Sequence, residues 1–323
     1  SETFSYDLFL YLKNILMFSQ GHDNANFLID NSIIEMICDH IKNTRDTTFI
    51  NTCLDILISF ASIHLENEKV IHIFDAINFI LDDQISRSCF IEKTFQLLNN
   101  LFISDSMIFD LFEQSGFIEL VQAHLNSPNE ITTYYACLLI SHIYTKTDCK
   151  YQFHMRKLLQ IYYEDSKSSK ADKCSMAASI ALSAQLISMP HLARILMNEN
   201  TFQNIFILAQ RKSLLTKISI VKVLLCLVKE STKENFWKVF AIGPPQQLDI
   251  FTFLSELVDI NHYSLRLSLK LILQIFLKSE NFDVLSDCKT NFLNAFSQKF
   301  FEKAELFDDE ETVSNFQTLR NYF

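Results

Sequence analysis

Residues 95–101 read FQLLNNL, with Phe95, Leu98 and Leu101 spaced three apart. A step of three places these side chains on one face of an α-helix. The same apolar-x-x-apolar-x-x-apolar pattern recurs at residues 12–18, 54–60, 137–143, 180–186, 221–227 and 269–275. The penultimate residues of the seven segments serve as markers: Met17, Ser59, Asn100, His142, Gln185, Cys226 and Gln274. Successive markers lie 42, 41, 42, 43, 41 and 48 residues apart, and the longest gap contains Gly243, Pro244 and Pro245. Three patterned positions in seven segments make 21 sites, and all but Ser183 are apolar, where a chain 49% hydrophobic would fill about half by chance. A helical segment returning about every 42 residues marks a repeat architecture.

Between the markers a second helix is expected at residues 32–42, 71–81, 117–125, 154–163 and 202–210, each with apolar residues at helical spacing. Shorter pieces precede some of them, at residues 24–30, 106–113 and 190–199, with polar turns at 31–32, 115–116 and 200–201. Each repeat thus reads as a short helix, a middle helix and a long amphipathic helix. None can bury its apolar face alone, so neighbours must stack into a continuous core and a curved solenoid. The 30 phenylalanines are expected as bulky fillers between layers.

Composition points the same way. Three glycines and four prolines are too few for the turns of a β-rich chain or the phosphate loops of a nucleotide-binding fold. H-E-x-x-H and G-x-S-x-G are both missing, so no enzyme is expected. The eight cysteines contain no C-x-x-C pair and read as buried thiols; neither a metal nor a cofactor is expected. A net charge of −10 makes nucleic acid a poor general partner. No apolar run approaches the ~18 residues of a membrane span. Residues 1–18 lack a basic start and hold Asp7 and Lys13 within their apolar stretch, so no signal peptide is expected either. The expected location is the cytoplasm, the nucleus or both.

The period, the turn Gln114-Ser115-Gly116-Phe117-Ile118-Glu119-Leu120-Val121 and the helix ending Leu97-Leu98-Asn99-Asn100-Leu101 resemble the armadillo repeat, over residues 5–296. The resemblance implies an all-α, right-handed solenoid of about seven units, with two-helix HEAT-like units as the alternative. It also implies that the third helices line a concave groove for an extended peptide, which makes the chain a protein-binding scaffold or adaptor.

On the helical wheel, the marker and the positions four and seven before it form a stripe beside the core stripe. From that stripe and its margin come the groove candidates Gln96, Asn100, Tyr135, His142, Gln185, Lys222, Arg266, Lys270 and Gln274. Asn100, Gln185 and Gln274 offer amides to a peptide backbone, while Tyr135 and His142 offer a recognition patch. Residues 205–280 carry ten basic and six acidic residues, so Lys222, Arg266 and Lys270 favour an acidic segment. Importin-α-type adaptors, the alternative within the family, repeat W-x-x-x-N on successive third helices. Here Gln96-x-x-x-Asn100 occurs once and the single Trp237 lies outside those helices. A nucleic-acid-binding solenoid through the basic region is the other alternative. Residues 1–301 are expected to form the solenoid and 302–323 an acidic linker with a capping helix. In that helix Val313, Phe316, Leu319 and Phe323 share a face. The acidic run 302–311 (EKAELFDDEE) reads either as a solvated linker or as a segment folding back on the basic region.

Overall fold

The computed structural model describes residues 32–323 apart from 64, 83–86, 105–107, 147–150, 152, 164–168, 199–200, 210–211, 241–249, 298, 304–306 and 308. The marker Met17 and the helix expected at 24–30 lie outside the described residues. Those described form helices and turns with no strand. The chain divides into two units, Ser1–Lys157 and Leu158–Phe323. The first holds α1 (Ile33–Asn43), α2 (Thr47–Phe60), α3 (Asn67–Asp82), α4 (Arg87–Ser104), α5 (Phe109–Gln114), α6 (Phe117–His124) and α7 (Glu130–Lys146). The division falls within α8 (Met155–Tyr163). The second unit continues with α9 (Ser169–Ser188), α10 (Pro190–Asn198), α11 (Thr201–Ala209), α12 (Leu214–Glu230), α13 (Lys233–Phe240) and α14 (Ile250–Leu257). It ends with α15 (His262–Asn281), α16 (Leu285–Ala295), α17 (Lys299–Glu302) and α18 (Glu310–Arg320).

Local chemistry sets the helix boundaries. Asp46 caps α2 by accepting from the Thr48 and Phe49 amides, and Ser213 caps α12 through the Thr216 amide. Asn261 and Ser264 form a reciprocal capping box at the start of α15. Between α5 and α6 the chain reverses at Gly116, whose φ of +73° lies in the left-handed region that a Cβ disfavours.

The long helices stack side by side, α2 on α4 and α4 on α7 in the first unit, then α9, α12, α15 and α18 in sequence in the second. Of the patterned positions that fall among the described residues, every one but Ile180 is buried. Ser183, the one polar residue among them, is buried as well; its hydroxyl donates to Ile180 O at 2.8 Å, so its polarity is met inside its own helix. The repeat step also appears in the hydrogen bonds. Lys93 Nζ donates to Asn51 O at 3.0 Å and Asn100 Nδ2 to Ile58 O at 3.2 Å, each 42 residues back. In the second unit the Tyr162 hydroxyl donates to Ile205 O, 43 residues on, at 2.9 Å.

In the C-terminal segment α18, preceded by α16 and α17, stacks on α15 as α15 stacks on α12. It buries Thr312, Phe316 and Leu319, with Phe316 against Phe300 at a ring-centroid distance of 5.3 Å. Val313 is only half-buried, and Phe323 stays 49% exposed although its ring meets Phe292. Asp309, within the acidic run, is the N-cap of α18 and accepts from the Thr312 amide at 2.9 Å.

Candidate peptide-binding face

In the first unit the groove candidates are mostly engaged by their own neighbours. Asn100 comes from α4, and its amide meets Ile58 O in the last turn of α2, where a helix leaves its carbonyls without partners. Ser62 Oγ donates to Ser59 O and the Ala61 amide to Leu57 O, so Asn100 completes a set that seals this helix end. The donor expected to meet a ligand is thus already committed. Lys93, one turn below the half-buried Gln96, pairs with Asp55 at 2.6 Å. Tyr135 is half-buried beside Tyr134, at 5.2 Å between ring centroids. Burial, reinforced by Tyr134 and Glu92, pushes its hydroxyl pKa up, so it stays a neutral donor. His142 is half-buried on the same helix.

Gln185 in the second unit departs from expectation completely: it is 0% exposed. Ala178 and Ala181, on the same stripe of α9, are buried with it. α9 packs along α12, and the small Ala178 and Ala181 suit such packing. This part of the stripe is core.

Beyond α9 the stripe opens. Lys222 on α12 sets its ammonium 5.6 Å from the centre of the Tyr263 ring on α15. Arg266 Nη2 donates to Asp309 Oδ2 at 2.7 Å, and its guanidinium lies 5.6 Å from the centre of the Phe307 ring. One turn along α15, Lys270 Nζ meets Glu311 Oε1 at 2.8 Å. Gln274 follows, half-buried. Three of the nine candidates therefore form one cationic strip on two adjacent helices, and two of the three already hold carboxylates. Asp309 divides its work: Oδ1 caps α18 while Oδ2 takes Arg266. The Thr312 hydrogen bonds, with Arg266 adding to them, hold its carboxyl below the ordinary value of 3.8, so it is charged at neutral pH.

The sequence stripe stops seven residues before each marker. One turn further, eleven before Cys226 and Gln274, stand Leu215 and Tyr263, which are 62% and 52% exposed. They give the strip an apolar flank, and extending the same wheel by a turn finds them. Cys226 is half-buried, and burial pushes its thiol up to about 11, which leaves it protonated and inert. Among the described residues no group of three His, Cys, Asp or Glu could hold a metal ion. Nor is any single helix among them long and apolar enough to cross a membrane.

The fold has counterparts among solved structures. The crystal structure of an engineered protein matches with a TM-score of 0.67 at 12% identity, over 97% of this chain and 73% of its own. The fold is armadillo-like. Two designed armadillo repeat proteins superpose less closely, one at a TM-score of 0.47 and 12% identity over 82% of this chain and 98% of its own. The other, solved with a (KR)4 peptide, gives 0.37 at 15% identity over 90% and 99%. No protein-family model matches the chain, and no curated protein matches it in sequence.

Proposed function

We propose that this chain is a non-enzymatic protein-binding scaffold that holds an extended acidic segment along the third-helix face of its second unit. The observation that carries this reading is the strip Lys222, Arg266 and Lys270, in which Arg266 and Lys270 each grip a carboxylate of the chain itself. A guanidinium and two ammonium groups on a rigid helical surface suit carboxylates, and Leu215 and Tyr263 add apolar contact beside them. A face built from the sides of helices suits binding. The cytoplasm or the nucleus is where we place that role.

The test uses fluorescein-labelled octaglutamate and octalysine in anisotropy titrations, with the variant Lys222→Glu/Lys270→Glu beside the natural chain. Octaglutamate should bind the natural chain and octalysine should not. The variant should bind octaglutamate more slowly, with a flatter fall in affinity above about 0.1 M salt. Its melting temperature should hardly move, because exposed charges contribute little to folding. Equal octaglutamate binding by both proteins would remove the strip from the site. Stronger binding of a single-stranded oligonucleotide than of octaglutamate would replace this reading by a nucleic-acid one.

A further inference from the structure

Arg266 and Lys270 stand four residues apart on α15, a rise of about 6 Å along the helix. Asp309 and Glu311, which they hold, stand two residues apart at the start of α18. In an extended segment, residues at i and i+2 project to one side about 6.6 Å apart. The two spacings agree, so the cationic pair suits acidic side chains at alternate positions of an extended segment. The tail meets the same pair from a helix start: Asp309, with φ −86° and ψ 128°, is the extended N-cap, and Glu310 and Glu311 open α18.

Charge bookkeeping shows the same match on a larger scale. Residues 205–280 carry ten basic and six acidic residues, and residues 281–323 carry four basic and eight acidic. An excess of four positive charges is thus followed by an equal excess of negative ones.

The ion pairs are also separable from the folding of the helix that carries them. α18 is anchored by the buried Thr312, Phe316 and Leu319. Its cap uses Asp309 Oδ1, whereas Arg266 takes Oδ2. The Arg266 and Lys270 side chains are 45% and 40% exposed, so water or another carboxylate can reach them.

We propose that Asp309-x-Glu311 is a resident copy of the motif this face recognises. A partner with acidic residues at alternate positions must displace it from Arg266 and Lys270, so the tail sets the partner's apparent affinity. The inference rests on the acidic-segment reading above.

The test uses Asp309→Asn/Glu311→Gln in the full chain. Asn is as good an N-cap as Asp, so α18 should stay folded while both competing charges are lost. The single variant Glu311→Gln leaves the cap untouched and guards against a folding artefact. The probe is a labelled (Glu-Ser)4 peptide, compared with four Glu followed by four Ser. An exposed ion pair is worth about two- to five-fold, so the double variant should bind (Glu-Ser)4 about ten-fold tighter than the natural chain at low salt. The single variant should show a smaller gain. Both gains should shrink as salt rises, and the block peptide should gain less. Equal affinity of all three proteins for (Glu-Ser)4, with that binding still lost in Lys222→Glu/Lys270→Glu, overturns the resident copy and leaves the scaffold reading standing. No binding of either peptide to any of the proteins overturns both.

Discussion

Asn100 Nδ2 donates to a carbonyl in the last turn of the previous long helix, and Lys278 Nζ does the equivalent later, donating to Ser231 O, at the C-cap of α12, at 3.1 Å. A cation at a helix C-terminus also complements the helix dipole, although partial burial pulls the Lys278 pKa down. These side chains join neighbouring repeats. Asn100→Ala should therefore lower stability by about 1 kcal/mol, the net worth of one such hydrogen bond, with octaglutamate binding unchanged. Urea unfolding and anisotropy on the same variant check both halves, and a loss of binding with full stability would restore Asn100 to the ligand face. The sequence placed Asn100 on the right stripe, because helical spacing decides orientation. It could not show whether that stripe meets a ligand or the adjacent repeat. Gln185 is the sharper case: it is fully buried, and burial depends on the packing of neighbouring helices, which no single-helix pattern contains.

At the scale of elements, the long helices were legible because the three-residue apolar step repeats within each and recurs between them. The middle helices α1, α3, α6, α8 and α11 were legible for the same reason. α13, α14, α16 and α17 were not: they fall around and after the longest gap between markers, where no regular step frames them. Without them the last helix could only be read as an addition to the array. In the structure it takes the position of a long helix, with Phe316 fully buried against Phe300. Repeat arrays draw stability from nearest neighbours, so damage at the end should stay at the end. Phe316→Ala should cost about 3–5 kcal/mol locally. Hydrogen exchange should accelerate in α16, α17 and α18 and remain slow in α9 and α12. Uniform acceleration across the second unit would show that the terminal repeat is not an independent layer. Asp309→Asn/Glu311→Gln should leave exchange in α18 close to that of the natural chain, since it removes charge without removing the cap or the apolar anchor.

Over the whole molecule, charge is divided by unit. Residues 1–157 hold ten basic and twenty acidic residues and so account for the entire net charge of −10. Residues 158–323 hold eighteen of each and are neutral, with their positive excess concentrated in 205–280. An acidic peptide approaching this chain thus feels two fields of opposite sign and different reach. At 0.01 M salt the screening length is about 30 Å, and the net negative charge of the chain acts over the approach. At 0.1 M it is about 10 Å, so the cationic strip dominates close encounters while the net charge is screened. Toward 1 M the strip is screened as well. The association rate of octaglutamate, followed by stopped-flow fluorescence, should therefore rise between about 0.01 and 0.1 M salt and fall beyond it. In Lys222→Glu/Lys270→Glu the maximum should vanish, because the falling limb belongs to the strip and the rising limb to the remaining charge. A rate that falls steadily from the lowest salt would mean that the strip outweighs the net negative charge of the chain at every screening length.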